Sequence, residues 1–249
     1  MIKMVKPIHL IFGGSKGLGN DILTESVYNN KEDVICISRT RPVNTAGVSW
    51  FYADLTDVES IHAVAEKIEG LMAGVRKITF SIRYRNNEDI ESYENAIASY
   101  VSEVISVETV LKTMDCVCYD DNCTRSIVIV SSINSSLINE KVPFWYHASK
   151  ASVKVVGRYY RNRLAKKNIN VSVVELGSFV RSACNGAQGV NAGLQKVILN
   201  CGLGKLQTSN EISKYVDHIH STQMLGMPGQ CYIFDDGCSI KAVEDYDFD

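Results

Sequence analysis

The chain has 249 residues, of which 45% are hydrophobic and 22% are charged, and its formal net charge is −2. These values are ordinary for a globular protein that is large enough to bury a sizeable core, and the near-neutral charge excludes a general attraction to nucleic acid or acidic lipid. No apolar run approaches the ~20 residues of a membrane-spanning helix. We therefore expect neither a nucleic-acid partner nor a membrane partner.

Short apolar runs alternate with longer runs of helical periodicity. In chain order, the predicted elements are a strand at 8–12, a helix at 20–30, strands at 34–38 and 48–57, a helix at 58–72, a strand at 77–82, a helix at 91–114, a strand at 126–132, a helix at 147–167, and strands at 169–176 and 229–237. This alternation predicts one α/β domain over residues 1–249, with a doubly wound, mostly parallel sheet of seven strands and helices on both faces. Residues 183–226 lack clear strands, and we interpret them as a helical flap over the substrate site.

The first predicted strand leads into a glycine-rich loop within the sequence IFGGSKGLGND. Gly13, Gly17 and Gly19 allow a tight turn and a close approach of the backbone to a pyrophosphate, and the N–H groups at the start of the next helix would face that anion. The spacing G-x3-G-x-G differs from the usual dinucleotide-binding pattern. The strand–loop–helix context is therefore what makes the loop a predicted dinucleotide site.

Basic residues lie where the adenosine ribose of a dinucleotide is expected. Lys16 lies inside the glycine loop, and Arg39 follows Ser38 after the second strand, where a carboxylate would instead bind the 2′-hydroxyl of NAD. Cations favour a 2′-phosphate, so the predicted cofactor is NADP(H); ordinary solvated loop charges are the alternative. Asp54 could contact the adenine edge or cap the following helix, a role for which Asp57 competes.

The sequence FWYHASKASV holds a tyrosine and a lysine four residues apart. On a helix, Tyr146 and Lys150 share a face. The pair is either an acid with its electrostatic partner or an aromatic and a cation on an ordinary surface helix. A free tyrosine has a pKa of about 10, and an adjacent ammonium stabilises the phenolate, which suits a general acid or base.

Several motifs occur together in the order of a known family. They are the glycine loop, Asp54-Leu55, the sequence VSS at 130–132, Tyr146-x3-Lys150 and the ending GQCYIFDDG. Over almost its whole length the chain resembles the short-chain dehydrogenase/reductase superfamily, whose fold is Rossmann-like. Tyr-x3-Lys alone is a weak signal, but it is specific when a serine precedes the tyrosine by fourteen residues and a glycine loop is present.

The resemblance implies a role for each matching residue. Tyr146 would exchange a proton with the substrate oxygen, Lys150 would favour the phenolate and bind the nicotinamide ribose, and Ser132 would hold the substrate carbonyl or hydroxyl. Ser131 is the alternative to Ser132, and the hydride would come from the cofactor. The residues implied in cofactor binding are Gly13, Ser15, Lys16, Gly17, Leu18, Gly19, Ser38, Arg39, Asp54, Leu55, Gly177 and Val180.

The chain departs from the family pattern around the expected site. The usual Asn-Asn-Ala-Gly turn after the fourth strand reads FSIRYRNNED, and the asparagine of the long helix has only Ser99 and Ser102 as nearby candidates. The usual Pro-Gly-x3-Thr reads LGSFVRSA, with Ser182 as the surrogate for threonine, and Phe12 stands where the glycine motif begins with threonine. These departures put the usual proton relay in question.

An Arg83-Tyr84-Arg85 sequence follows the fourth strand, at the sheet edge where parallel α/β proteins bind ligands. We interpret Arg83 and Tyr84 as substrate contacts. The arginines could meet either an anionic substrate or a phosphate of the cofactor. Our hypothesis is a phosphorylated, carboxylated or nucleotide-linked sugar-like substrate. Surface arginines on a loop are the alternative.

No metal site is predicted. The CVCYDDNC cluster lacks a second pair of ligands, and the five histidines form no convincing ligand set. Free thiols are the default for the eight cysteines and indicate a reducing compartment. The apolar run near the N-terminus ends in glycines rather than in a signal-peptide cleavage site, so we expect a cytoplasmic protein.

Together these features predict an NADPH-dependent oxidoreductase that interconverts a carbonyl and an alcohol by hydride transfer. Its partner would be a small-molecule carbonyl or alcohol, and the resemblance implies a homodimer or homotetramer that uses the helices at 91–114 and 147–167. The alternative is a dinucleotide-binding regulatory or oligomeric protein with little or no catalysis. A third interpretation, an isomerase or epimerase acting on a nucleotide sugar, leaves little room for the substrate domain that such enzymes need.

Overall fold

The structure is a computed structural model that describes residues 6–29, 31–43, 46–85, 92–119, 122–181, 204–222 and 231–239. Its centre is a sheet of seven parallel strands in the order β3-β2-β1-β4-β5-β6-β7. The strands are β1 (Ile8–Phe12), β2 (Asp33–Ser38), β3 (Val48–Tyr52), β4 (Val75–Phe80), β5 (Arg125–Ser132), β6 (Ile169–Leu176) and β7 (Cys231–Phe234). The strand order reverses between β1 and β4, which is where such sheets bind ligands.

Helices cover both faces of the sheet, which confirms the predicted doubly wound α/β fold. They are α1 (Gly17–Asn29), α2 (Val58–Glu69), α3 (Tyr93–Tyr100), α4 (Ser106–Cys116), α5 (Phe144–Leu164) and α6 (Ser209–Ser221), with short 3₁₀ turns at Ile133–Ser135 and Ala165–Lys167. A π-helical turn, Val101–Ile105, joins α3 to α4. The helix predicted at 91–114 is thus one continuous helix with a π turn inside it, because the junction residues keep right-handed helical angles.

Two apolar clusters hold the helices against the sheet. On one face, strand residues such as Phe12, Phe80 and Ile129 pack with α2, α4 and α5. On the other face, alternate strand residues such as Ile11 and Val128 pack with α1 and α6. Successive strand residues point to opposite faces, so a strand covered on both sides has a nearly continuous apolar sequence. This is why the buried strands could be recognised in the sequence.

The third strand ends earlier than its sequence pattern indicated. β3 is five residues long, and the residues after it form a turn in which Asp54 Oδ1 accepts the N–H and the hydroxyl of Thr56 at 3.0 and 2.7 Å. Asp57 then accepts backbone N–H groups of the first turn of α2. Asp57 is therefore the helix cap, and the carboxylate of Asp54 stabilises the turn before it.

Part of the segment interpreted as a flap is a scaffold helix. α6 begins with a capping box between Thr208 and Glu211 and packs against α1 on the sheet. Most of the remainder of 183–226 lies outside the described residues. Within the described ranges, no helix is long and apolar enough to cross a membrane.

Candidate functional site

A cleft of about 860 Å³ lies at the carboxyl ends of the central strands. One end of the cleft is formed by the glycine loop after β1 and by the loop after β2. The other end is formed by the loops after β4, β5 and β6 together with the first turns of α5. Nearly all of the residues predicted to bind cofactor or substrate line this one cleft: Gly13, Ser15, Lys16, Gly17, Leu18, Gly19, Ser38, Arg39, Asp54, Leu55, Arg83, Tyr84, Ser132, Tyr146, Lys150 and Gly177.

The glycine loop is shaped by backbone contacts that exclude side chains. Gly13 has a φ of +79°, and a Cβ atom there would lie 2.4 Å from the carbonyl oxygen of Ser81. A Cβ atom on Gly19 would lie 2.2 Å from the carbonyl oxygen of Gly13. The loop leads directly into α1, whose first turn contains no acidic residue. Free N–H groups and the helix dipole therefore point into the cleft, which fits the pyrophosphate of a dinucleotide.

The loop after β2 is tied to the glycine loop. The hydroxyl of Ser38 donates to the carbonyl oxygen of Thr40 at 2.7 Å, and the hydroxyl of Thr40 donates to Ser15 Oγ at 3.0 Å. Arg39 is largely exposed, and its Nη1 atom lies 3.9 Å from Oδ2 of Asp54. Lys16 and Arg39 are thus both available to an anion at this end, which fits a 2′-phosphate on the adenosine ribose.

The two serines at the end of β5 have different contacts. The hydroxyl of Ser131 donates to the backbone carbonyl of Lys150 at 3.0 Å, so it fixes α5 to the sheet. Ser132 Oγ accepts the N–H of Asn134 at 3.2 Å at the start of the 3₁₀ turn. The hydroxyl proton of Ser132 therefore remains available to a substrate oxygen, whereas that of Ser131 is already used. The contacts favour Ser132 over Ser131 as the substrate-binding serine.

Tyr146 and Lys150 lie on one face of α5, one turn apart, and both line the cleft. The side chain of Tyr146 is almost buried, and Lys150 Nζ lies 5.6 Å from the centre of its ring. Lys150 Nζ also donates to the carbonyl oxygen of Ile82 at 2.9 Å. The tyrosine is thus held beside a buried ammonium at the edge of the sheet, which is an arrangement suited to proton transfer.

The sequence did not indicate the residue that contacts Lys150 most closely. Glu103 Oε2 lies 2.7 Å from Lys150 Nζ, inside the π turn, and both side chains are nearly inaccessible. Of the two serines considered for the relay position, Ser99 is fully buried and contacts Ser149 Oγ at 2.9 Å, while Ser102 donates to the carbonyl oxygen of Ser99. The available signal for Glu103 was that it is the only acidic residue in the stretch from 96 to 107 of the predicted helix.

Three arginines surround the mouth of the cleft beside Tyr146. The guanidinium of Arg83 lies 5.0 Å from the centre of the Tyr146 ring, and Arg85 and Arg181 line the same wall. Desolvation, together with the charges of Arg83 and Arg181, lowers the pKa of Arg85 to about 10. None of the three forms an ion pair with an acid in the described ranges. Among the described residues, this wall therefore carries three positive charges, and we call it the basic wall.

Tyr84 has a mainly structural set of contacts. Its N–H donates to Glu103 Oε1 at 2.7 Å, its hydroxyl donates to Asn95 Oδ1 at 2.7 Å, and its ring packs edge-on against Trp145. These bonds anchor the loop after β4 to α3, to the π turn and to α5. Tyr84 lines the cleft, but its hydroxyl proton is already used.

His147, which follows the tyrosine, does not line the cleft. Its Nδ1 and Nε2 atoms lie 2.8 and 3.1 Å from the backbone carbonyl oxygens of Asn134 and Asn139. The imidazole therefore ties the loop after β5 to α5. Asn134 and Asn139 both line the cleft, so His147 shapes the site without entering it.

The loop after β6 contributes a glycine but not the predicted valine. Gly177 lines the cleft, and a Cβ atom there would lie 2.8 Å from the Cα of Asp235, which accounts for the glycine although the usual proline is Leu176. Val180 does not line the cleft, because its backbone pairs with Gln207 and Ser209 instead. Ser182, the suggested threonine surrogate, lies outside the described residues.

The part of the chain that the structure describes contains no cluster of His, Cys, Asp and Glu able to hold a metal ion. Cys116 and Cys118 of the CVCYDDNC sequence are exposed and are not part of a disulfide.

Similarity to known proteins agrees with this geometry. A family model described as enoyl-(acyl carrier protein) reductase matches residues 27–239. No curated protein sequence matches the chain.

Three solved structures illustrate the likeness in fold. A short chain dehydrogenase family protein from Francisella tularensis subsp. tularensis SCHU S4 is 20% identical, with a TM-score of 0.78 over 95% of this chain and 100% of that chain. A short chain dehydrogenase from Leptospira borgpetersenii with bound NAD+ is 18% identical, with a TM-score of 0.78 over 94% and 93%. L-sorbose reductase from Gluconobacter frateurii, complexed with NADPH and L-sorbose, is 16% identical, with a TM-score of 0.76 over 94% and 97%. At these identities the structures share the fold with this chain.

Proposed function

Because the chain belongs to the short-chain dehydrogenase/reductase superfamily of oxidoreductases, we propose that it is an NADPH-dependent enzyme that reduces a carbonyl or oxidises the corresponding alcohol. The observation that carries this proposal is that Ser132, Tyr146 and Lys150 line the same cleft as the glycine loop. A protein that only bound a dinucleotide would have no need of a buried tyrosine and lysine at the far end of that cleft.

The residues divide the reaction between them. NADPH would supply a hydride to the carbonyl carbon and leave as NADP+. Ser132 donates a hydrogen bond to the carbonyl oxygen and holds it near Tyr146. Tyr146 gives its hydroxyl proton to that oxygen as the carbon–oxygen double bond becomes single, so the product is an alcohol. The phenolate of Tyr146 then recovers a proton from solvent, and alcohol oxidation is the same sequence in reverse.

The preference for NADPH rests on the charges at the adenosine end. Lys16 and Arg39 face that end of the cleft, and no carboxylate follows β2 directly. Asp54 lies 3.9 Å from Arg39, but it is also held by Thr56, so the arginine remains free to turn toward a phosphate. The neighbour with bound NAD+ and the neighbour with bound NADPH show that the fold accepts both cofactors, so the local charges decide.

Titration of the protein with NADPH and NADH tests this preference. Arg39→Asp should weaken NADPH binding about tenfold or more and change NADH binding far less, because the 2′-phosphate is the only group that differs. Arg158→Asp makes the same change of charge at an exposed position of α5 outside the cleft and serves as the control. A parallel loss of both cofactors in Arg39→Asp would contradict the assignment.

The substrate is proposed to carry a negative charge, such as a carboxylate, a phosphate or a nucleotide-linked group on a sugar-like molecule. Arg83, Arg85 and Arg181 line the wall beside Tyr146, and desolvation with mutual repulsion lowers the pKa of Arg85. A bound anion would relieve that repulsion and form charge-assisted hydrogen bonds. A neutral substrate would leave the three charges facing each other.

Matched carbonyl substrates test the charge of the substrate. Replacement of Arg83 or Arg85 by Ala should raise the KM for a carboxylated or phosphorylated carbonyl about tenfold and should leave the KM for a neutral analogue within a factor of about two. Equal effects on both substrates would contradict the anionic assignment. Absence of NADPH oxidation with every carbonyl, combined with tight NADPH binding, would favour the non-catalytic dinucleotide-binding alternative.

Self-association and a cytoplasmic location are further parts of the proposal. Exposed apolar residues on α3 and α5, namely Tyr93, Ile97, Val155 and Tyr159, favour a homodimer or homotetramer formed through these helices. Light scattering should give the mass of a dimer or tetramer, and Ile97→Glu with Val155→Glu should give a monomer.

The cysteines support the proposed cytoplasmic location. Cys36, Cys116 and Cys118 are not part of a disulfide, which fits a reducing compartment. Fractionation of the native host cell would test this location.

A further inference from the structure

The long helix changes its geometry beside the catalytic lysine. α3 and α4 are α-helical, but Val101–Ile105 between them is a π turn. A π turn inserts an extra residue into a helix, and such turns are frequent at functional sites. Here the buried side chains of the turn, Ser102, Glu103 and Val104, are directed inward, and the turn packs against α5, which carries Tyr146 and Lys150.

Glu103 joins two parts of the catalytic end. Its Oε2 atom lies 2.7 Å from Lys150 Nζ, and its Oε1 atom accepts the N–H of Tyr84 at 2.7 Å. The side chains of Glu103 and Lys150 are only 1% and 4% exposed. One carboxylate therefore connects the lysine of α5 to the loop that carries Arg83 and Arg85.

The contacts of Lys150 leave little freedom for its ammonium group. An ammonium has three N–H donors. That of Lys150 donates one hydrogen bond to the carbonyl oxygen of Ile82 at 2.9 Å and forms an ion pair with Glu103, whose Oε2 atom lies 2.7 Å from Nζ. These two contacts restrict the position of the ammonium, so Glu103 and Ile82 set the direction in which Lys150 can act.

The pair also changes the charge balance beside Tyr146. The negative charge of Glu103 cancels the positive charge of Lys150 at a distance of 2.7 Å. Among the described residues, the cations near the phenol that have no acidic partner are then the arginines of the basic wall, of which Arg83 lies 5.0 Å from the centre of the Tyr146 ring. Positive charge near a phenol stabilises its phenolate, and here that charge comes from the wall.

We propose that Glu103 is a positioning residue of the catalytic site that fixes the direction of Lys150 and cancels its charge, so that Arg83 and Arg85 supply the positive field at Tyr146. This inference rests on the proposed reductase function. It also connects the catalytic step to the substrate, because an anion that binds the arginines reduces the field that favours the phenolate and so favours the protonated tyrosine needed for carbonyl reduction.

A neighbouring ion pair provides a matched control. Lys154, one turn after Lys150 on α5, lies 2.7 Å from Oε1 of Glu175, and the Glu175 side chain is only 2% exposed. Glu175 does not line the cleft. Glu175→Gln therefore removes a buried carboxylate from a lysine of the same helix without changing the residues around Tyr146.

The experiment measures ionisation of Tyr146 without any need for turnover. The near-ultraviolet absorbance of the phenolate is titrated with pH, and the curve of the matching Tyr146→Phe protein is subtracted in each background. Glu103→Gln should shift the midpoint of phenolate formation to lower pH by about one unit or more, because the charge of Lys150 is no longer cancelled. Glu175→Gln should leave the midpoint unchanged.

A double variant and a conservative variant separate charge from position. Glu103→Gln with Lys150→Met removes both charges, and its midpoint should stay close to that of the wild type. Glu103→Asp keeps the charge but is one methylene shorter, so the midpoint should stay in place while kcat falls about tenfold through loss of alignment. If Glu103→Gln does not fold, the double variant decides the same question.

Three results would overturn the inference. In the first, the midpoint of phenolate formation in Glu103→Gln equals that in Glu175→Gln. In the second, the midpoint of the double variant is higher than that of the wild type, as the loss of Lys150 alone would require. In the third, the Glu103 variants lose thermal stability but keep the wild-type midpoint and kcat. Wild-type protein with no turnover of any carbonyl would contradict the reductase proposal instead. The absorbance titration would still report whether Glu103 controls the charge at Tyr146.

Discussion

The two ends of the cleft differ in whether backbone groups or charged side chains line them. At the proposed adenosine end, the cleft is lined by backbone of the glycine loop and of the start of α1, and glycines are required because a Cβ atom would collide with a carbonyl. At the proposed catalytic end, charged side chains line the cleft: Lys150, which pairs with Glu103, and the arginines of the basic wall beside Tyr146. The backbone-lined end therefore requires glycines at fixed positions, whereas at the other end different side chains can supply the same charge.

The ion pairs at the two ends also differ in how much they contribute to the free energy of unfolding, because one is exposed and the other is buried. The Arg39–Asp54 contact is 3.9 Å long and Arg39 is more than half exposed, so it contributes about 1 kcal/mol at most. The Lys150–Glu103 contact is 2.7 Å long with both side chains nearly inaccessible, and removal of one partner from such a pair costs about 3–5 kcal/mol. Substitutions at the catalytic end should therefore affect stability as well as turnover.

The largest expected effect comes from breaking the buried pair. Lys150→Met should lower the free energy of unfolding by about 3–5 kcal/mol, because Glu103 is left as an unpaired buried carboxylate. Addition of Glu103→Gln should restore most of that stability but not the activity. Chemical denaturation of both variants measures this, and failure of the second substitution to restore stability would contradict the importance of the pair.

The adenosine end should respond to a single methyl group. A Cβ atom on Gly19 would lie 2.2 Å from the carbonyl oxygen of Gly13, so Gly19→Ala must displace the loop and should weaken NADPH binding about tenfold or more. Gly70→Ala is the control, because nothing lies within 4 Å of its Cβ position and its φ is −63°. Equal NADPH affinity in both variants would show that the loop does not hold the cofactor.

A buried polar network between the sheet and helices α1 and α6 lies away from both ends of the cleft and allows a test of how stability depends on pH. His9 bonds to Ser26 and Thr79, and Thr79 bonds to His220. Desolvation, followed by the charge of Lys77, lowers the pKa of His9 to about 3, and desolvation also lowers the pKa of His220 well below its usual value.

Both histidines are therefore neutral in the folded protein at pH values where the unfolded chain binds protons. The stability they support is present above about pH 6.5 and is lost as the pH falls below it. Between pH 7 and pH 5 each should account for a loss of about 2 kcal/mol. His220→Gln should reduce the measured loss by that amount, and an identical pH dependence in the variant would contradict a buried neutral histidine.

The smallest effect is expected at Ser99, which the sequence suggested for the proton relay. Its hydroxyl contacts Ser149 in the packed interface between α3 and α5. Ser99→Ala should cost about 1 kcal/mol of stability and should leave kcat within a factor of about two. A large loss of kcat without loss of stability would return Ser99 to the proton relay.

The features that could be predicted from the sequence are local, whereas those that could not be predicted depend on contacts between distant residues. The seven strands, the glycine loop and the Tyr146–Lys150 pair are local patterns, because periodicity and residue spacing determine them. The contact between Glu103 and Lys150 joins residues 47 positions apart through a π turn, and nothing in local sequence fixes where a helix accommodates an extra residue. Arg181 joins the basic wall only because the loops after β4 and β6 meet at the sheet edge.

Two other differences have equally physical causes. Val180 fits the family pattern by position, but its backbone forms a bridge to the chain before α6 and turns away from the cleft. Asp54 and Asp57 were both plausible caps from the sequence, and only the end of β3 determined which of them begins α2.

The most direct test of the central claim is to measure turnover and cofactor binding on the same preparation of Tyr146→Phe. The substitution removes only the hydroxyl oxygen, so NADPH affinity should remain within a factor of about two, while kcat for carbonyl reduction should fall by about 10²–10⁴-fold. A Tyr146→Phe protein that binds NADPH normally and whose kcat falls by less than about thirtyfold from the wild-type value would contradict the assignment of Tyr146 as the proton donor.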